Sequence, residues 1–212
     1  MKKARMAIEK AVRRVMRSVA VALNWVSRGH VRPNDVTIAA LVMHIPIAIV
    51  IATDHLMWGA ILVVIFGLFD TLDGELARLQ NRVSDLGGLL DTVSDRIKEL
   101  ALYCGILYLF ATNGQSVWFL LATMVACGAS LITPFVKAKG EAIIATYGHE
   151  FSYDKLNRMF KGGFLPFEVR MAIIVAGLLI GMKVLPWLMV AMAVLVTISM
   201  LQRLVSIIRS LR

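Results

Sequence analysis

Four aspartates, Asp70, Asp73, Asp91 and Asp95, fall within a 26-residue stretch, DTLDGELARLQNRVSDLGGLLDTVSD, that has apolar sequence on both sides. Ionisable side chains at membrane depth are costly, and they mark functional sites that face a bundle interior or a wet cavity. Asp70 and Asp73 are spaced i, i+3, and Asp91 and Asp95 i, i+4, so each pair shares one face of a helix. Four carboxylates drawn together repel one another unless cations hold them. Oxygen-only ligands suit a hard ion such as Mg²⁺, which leaves positions for water and substrate phosphates. Two helices giving two carboxylates apiece suffice for a two-metal cluster that can bridge a diphosphate. The intervening residues fit that use. Gly74 lets a nucleotide approach its helix, Ala77 keeps the same face narrow, and Arg78 can grip a phosphate in bidentate fashion. Gly87 and Gly88 are expected to let two helices approach closely enough for the acids to converge.

The elements that position these groups must be membrane helices. The chain has 212 residues, is 58% hydrophobic and has a mean hydropathy of +0.74. Its charged fraction is 17%, below the roughly 25% of soluble domains. Apolar stretches at 36–53, 56–69, 100–112, 116–136, 171–182 and 184–201 predict six spans with both termini on one side. On that topology 22 of the 23 Lys and Arg residues share one side and only Lys183 lies opposite. The positive-inside rule then places the termini and the aspartates at the cytoplasmic face of a multi-pass cell-membrane protein. The second and third spans are short: the 14 residues from Leu56 to Phe69 make about 21 Å of helix against a hydrocarbon core of about 30 Å. Their missing turns must come from the polar ends, 70–78 and 87–99. The aspartates therefore lie just below the cytoplasmic membrane surface, in a cavity open to water.

Two segments are expected, an N-terminal juxtamembrane helix (1–33) and a six-helix domain (34–212). Residues 2–27 carry basic side chains at 2, 3, 5, 10, 13, 14 and 17, with Ile8, Val12, Val15, Val19, Leu23 and Val26 at helical spacing. That pattern predicts an amphipathic helix lying in the interface of anionic lipid. The first 33 residues hold nine basic residues, and no cleavable signal peptide is expected. Gly29, His30 and Pro33 should end that helix, and Asn34 or Asp35 should cap the first span. His44 and Pro46 within it are expected to pack. Cys104 and Cys127 read as small buried apolar side chains. Pro166 should start the fifth span, and Trp187 suits the aromatic belt. The 142–166 loop, with GHEFSYDKLNRMFKGG, is expected to touch the interface.

The pattern D70-x2-D73-G74-x2-A77-R78-x8-G87-x3-D91-x3-D95 resembles the signature of the CDP-alcohol phosphotransferase family at every fixed position. The resemblance implies a six-span, dimeric enzyme that transfers a phosphatidyl-type group from a CDP-linked lipid to an alcohol and releases CMP. It implies that Asp70, Asp73 and Asp91 hold one Mg²⁺ (or Mn²⁺), that Asp70, Asp91 and Asp95 hold a second, and that Asp95 is the general base. It further implies CDP-lipid contacts at Gly74, Arg78 and Ser84 and at Asn34, Asp35, Val36 and Thr37. The stretches RPNDVTI, DHLMWG, FVKAKGEA and LQRL are similar to those of the phosphatidylinositol phosphate synthase-like members. By that likeness Lys137, Arg170 and Arg203 form a pocket for an acceptor phosphate such as that of inositol phosphate. Lys139, Gly140 and the segment LPFEV before Arg170 depart from the pattern and leave glycerol 3-phosphate as the main rival acceptor, with serine or another polar alcohol after it.

Two other classes are disfavoured. Intramembrane prenyltransferases need more spans and lack the AR-x8-G element. An ion or proton transporter would need a charged relay to the far side, and nothing in the sequence invites nucleic acid.

Overall fold

The computed structural model describes residues 2–146 and 165–211, and every regular element among them is helical. In chain order these are α1 (Lys2–Val26), α2 (Pro33–Ala52), α3 (Leu56–Gly67), α4 (Phe69–Leu79), α5 (Asp85–Thr112), α6 (Val117–Thr146), α7 (Phe167–Ile180) and α8 (Leu185–Leu211). Pro33–Ala52, Leu56–Leu79, Val117–Ile143 and Leu185–Arg209 are long and apolar enough to cross a membrane, which makes this a multi-pass membrane protein. The chain divides into two compact units, 1–102 and 103–212, so the boundary falls inside α5. The expected 142–166 loop starts later than predicted because α6 runs on to Thr146; residues 147–164, with the whole GHEFSYDKLNRMFKGG segment, lie outside the described residues.

In the first unit, left-handed residues stop three helices. Arg28 (φ 51°), Asp54 (φ 64°) and Asn81 (φ 55°) follow α1, α2 and α4. After each, the next N–H reaches back to the last turn: Gly29 to Asn24 O at 2.9 Å, His55 to Val50 O at 3.1 Å and Arg82 to Ala77 O at 2.9 Å. These are Schellman closures, which satisfy carbonyls a helix end would otherwise orphan. The start of α2 corrects the capping expectation. Arg32 is the N-cap, Pro33 fills the first turn, and the Asp35 carboxylate accepts the Arg32 N–H at 2.8 Å from the N3 position.

Helix α1 packs on α4. Ala20, Val36, Leu72 and Leu76 form a buried cluster, with Met16, Leu23, Val31 and Phe69 against it. The face packed on α4 is therefore Met16–Ala20–Leu23, which shares Leu23 with the apolar stripe read from the sequence. Val15, Val19 and Val26 stay exposed beside Trp25, so the helix has both a packed face and a free apolar edge. Gln80 locks the arrangement, its amide donating to Asn24 Oδ1 at 2.8 Å and to Val31 O at 2.9 Å.

In the second unit α8 packs along α6 and against α7. Tyr103, Ile106, Leu109 and Phe110 of α5 are fully buried, as are Ala126, Ile174, Leu185 and Met189. The Tyr103 hydroxyl meets Ser130 Oγ at 3.2 Å. Cys127 is buried as expected, but Cys104 is exposed. Pro166 serves as the N-cap of α7 rather than its first helical residue.

Two glycines mark close helix approach. A Cβ on Gly59 would lie 2.5 Å from Ile51 Cγ1, and one on Gly177 would lie 2.7 Å from Leu185 Cδ1. Gly59→Ala should therefore lower stability by about 1–3 kcal/mol through overpacking. The loss should shrink in an Ile51→Ala background, where the clashing branch is gone; thermal unfolding of the two single variants and the double variant measures this coupling.

Candidate active site

The α4–α5 hairpin places the acids. Asp70 and Asp73 lie on α4, which Asn81 ends, and the short turn to Ser84 reverses the chain. Ser84 Oγ accepts the Gly87 N–H at 3.1 Å and so caps α5, whose helix carries Asp91 and Asp95 on successive turns. Carboxylate oxygens of Asp70, Asp91 and Asp95 come within 4.8 Å of one another. Asp73 stands apart from that trio. It accepts a 2.5 Å hydrogen bond from the Thr37 hydroxyl of α2 and lies close enough to Asp91 for their charges to interact.

A cavity of about 220 Å³ opens beside the acids. Asp70, Asp73 and Asp91 form its acidic wall. Asn34 and Thr37 of α2, Gly74, Ala77 and Arg78 of α4, and Ser84, Gly87 and Gly88 at the start of α5 complete it, together with Arg82. Two helices, α2 and α5, begin at this cavity, so their N-terminal N–H groups and dipoles favour an anion there. The cavity thus offers carboxylates for hard cations beside helix ends and arginines for phosphate.

Five of the seven predicted nucleotide contacts, Asn34, Thr37, Gly74, Arg78 and Ser84, line the cavity; Asp35 and Val36 do not. Asp35 is engaged with the α2 start and Val36 is buried against Leu72 and Leu76. Arg78 lies 2.6 Å from Glu75 Oε1, so a phosphate must compete with that neighbour. The glycine expectation is corrected. A Cβ on Gly88 would meet nothing within 4 Å, and one on Gly87 would meet only the side chains of Ser84 and Asn34. These glycines keep the cavity wall bare instead of seating two backbones together.

Sequence reasoning missed Lys98. Its ammonium pairs with Asp70 and lies 3.3 Å from Asp95 Oδ1, and its side chain is only 4% exposed. The signal was available, since Lys98 is three residues beyond Asp95 and seven beyond Asp91, on one helical face. Arg96 is held by buried Glu99 at 2.7 Å and stands 3.7 Å from Asp95. His44 is buried with Nδ1 2.7 Å from Ala40 O, within electrostatic range of Lys98 and Asp95.

The second unit gathers positive charge. Arg170 is buried, donates to Leu165 O at 3.3 Å and lies over the Phe167 ring. Arg203 is close enough to feel the charges of both Arg170 and Glu141. Lys137 pairs with Glu141 at 3.6 Å and is about half exposed.

The sequence profile of CDP-alcohol phosphatidyltransferases matches residues 30–201, most of the chain. The chain belongs to this family. Among the family's members, the phosphatidylinositol phosphate synthase of Corynebacterium glutamicum is 35% identical over 114 residues. That match covers 53% of this chain and 52% of the relative, so the aligned part spans about half the length of such curated relatives. The crystal structure of Mycobacterium tuberculosis phosphatidylinositol phosphate synthase with CDP-DAG bound superposes with a TM-score of 0.77 at 27% identity, covering 92% of this chain and 94% of that one. The same synthase in complex with manganese and citrate gives 0.76 at 27% identity, with 91% and 88% covered.

Gly74 separates packing from binding. The nearest atom to a Cβ there is Arg78 Nη2 at 3.5 Å, at the end of a flexible side chain. Gly74→Ala should leave thermal stability unchanged or raise it by up to about 1 kcal/mol, as helix propensity dictates. The added methyl intrudes on the cavity, so calorimetric titration with CDP should show weakened binding in the same variant.

Proposed function

We propose that this protein is a divalent-metal-dependent phosphatidyltransferase that joins the phosphatidyl group of a CDP-linked lipid to the hydroxyl of a phosphorylated polyol, inositol phosphate by preference, and releases CMP. The observation that carries the reading is the convergence of Asp70, Asp91 and Asp95 beside a cavity walled by the family's signature residues. The donor set is all carboxylate oxygen, which fits Mg²⁺ or Mn²⁺. Asp70, Asp73 and Asp91 would hold one ion and Asp70, Asp91 and Asp95 a second. When bound, the ions would neutralise the diphosphate and the charge that develops on departing CMP.

The chain's own groups do the rest. The N-termini of α2 and α5 and Arg78 orient the diphosphate, and the bare wall at Gly74, Gly87 and Gly88 admits it. Asp95 takes the proton from the acceptor hydroxyl as its oxygen bonds to the lipid-bearing phosphorus and the bond to the CMP oxygen breaks. Catalysis on these terms is mostly positioning and electrostatics. Lys137, Arg170 and Arg203 supply the acceptor-phosphate pocket; the mutual proximity of Arg170 and Arg203 supports this, because like charges gathered in a protein favour an anion between them. Six spans, cytoplasmic termini and active site, an N-terminal segment over 1–33 with the catalytic domain over 34–212, and a homodimer complete the proposal. They rest on charge placement and on family likeness.

CMP release from CDP-diacylglycerol in nanodiscs tests the reading. It should require inositol phosphate, stop with EDTA and return with Mg²⁺ or Mn²⁺. Asp91→Asn should cut turnover by a factor on the order of a hundred or more, by analogy with other electrostatic losses at active sites. Arg203→Ala should raise the KM for inositol phosphate by roughly tenfold to a hundredfold, the value of a charge-assisted hydrogen bond. Turnover as fast with plain inositol would remove the acceptor assignment, and turnover with glycerol 3-phosphate alone would transfer it to that rival.

A further inference from the structure

Lys98 occupies a position that neither metal binding nor nucleotide binding assigns. Its ammonium bridges Asp70 of α4 and Asp95 of α5, two of the three acids whose oxygens converge. The side chain is enclosed, at 4% exposure, so the charge stays among the carboxylates and does not swing out to water. Among the described residues no neighbouring cation duplicates its contact with both carboxylates. Arg96 is committed to Glu99 at 2.7 Å and only brushes Asp95 at 3.7 Å, while the His44 Nδ1 is engaged by Ala40 O. An enclosed ammonium does for two carboxylates what a metal ion would do, and it takes up part of the same negative charge.

We propose that Lys98 is a tethered cation that holds Asp70 and Asp95 together before metal loading and lowers the cluster's affinity for divalent ions, so that full occupancy requires an anionic diphosphate in the cavity. The inference rests on the metal-centre reading above. Four aspartates and one lysine leave three negative charges, one fewer than two divalent ions would neutralise. A diphosphate, with about two negative charges, more than makes up that deficit, which couples the second ion to substrate. In this role Lys98 is a positioning residue that acts on the metal ligands.

The test is Mn²⁺ binding to the full chain in detergent, followed by the paramagnetic resonance of free Mn²⁺, with and without CDP. Lys98→Met should bind Mn²⁺ on the order of tenfold more tightly than the parent without nucleotide, as expected for removing one unit charge beside the site. CDP should strengthen Mn²⁺ binding strongly in the parent and little in Lys98→Met, while Lys98→Arg should behave as the parent. Thermal unfolding of the same samples should show a lower midpoint for metal-free Lys98→Met and a larger rise on adding Mn²⁺. Should Lys98→Met fail to fold without metal, recovery during purification in Mn²⁺ supports the role, and no recovery overturns it. Equal or weaker Mn²⁺ affinity in Lys98→Met also overturns it. A parent that binds Mn²⁺ no better than Asp91→Asn would instead remove the metal-centre reading, and the lysine's role with it.

Discussion

Repulsion among four carboxylates is the constraint around which the first unit is organised. Three of them bring oxygens within 4.8 Å, and the fourth stands close enough to interact with Asp91. In a partly desolvated setting such charges separate unless the backbone holds them. The backbone is accordingly over-determined here. Asn81 ends α4 at a fixed residue, Ser84 caps α5, and Gln80 ties the hairpin to α1 through Asn24 and to the α1–α2 link through Val31. The apolar contact of α1 with α4 through Ala20, Leu72 and Leu76 braces the acidic helix from behind. Thr37 then fixes Asp73 from a third helix.

The glycines show how the fold separates packing from binding. Gly59 and Gly177 sit where a methyl group would strike a neighbouring side chain at under 3 Å, so their absence of side chain serves helix packing. Gly74, Gly87 and Gly88 have open space or only flexible polar ends nearby, and all three line the cavity. Identical residue types therefore sit in opposite surroundings, a packed contact and a bare cavity wall. Sequence pattern alone does not distinguish them, because what decides is the atom that a Cβ would meet.

Much of the site was legible because it is local. Helical spacing put Asp70 with Asp73 and Asp91 with Asp95, and the short link between them forced a hairpin; both survive in the structure. The ends of α1 and α4 were legible to within a residue, but not how they close, since Arg28 and Asn81 are left-handed residues that composition does not flag as strongly as glycine. Lys98 was missed for a different reason. On the charge-placement argument every Lys and Arg near the cytoplasmic side looks like a topology signal, and that reading hid a lysine whose helical register turns it toward the acids. Val36 belongs to a signature stretch, and its side chain packs in the cluster with Leu72 and Leu76, a burial that the motif alone did not reveal.

One electrostatic logic recurs in both units. In the first, acids are gathered and partly compensated by the enclosed Lys98 and, more distantly, by Arg96; in the second, Arg170 and Arg203 are gathered, with Glu141 near Arg203. Like charges held together raise the energy of the empty protein, and the folded helices around them keep that energy from relaxing. A ligand of opposite sign recovers it on binding, which makes affinity depend on the ligand's charge more than on its surface area. The compensating residue sets how much is recovered. With no compensator, the acids would trap divalent ions and the arginines any phosphate; with full compensation, neither group would attract its ligand. Partial compensation of each cluster leaves binding of an opposite charge favourable yet reversible.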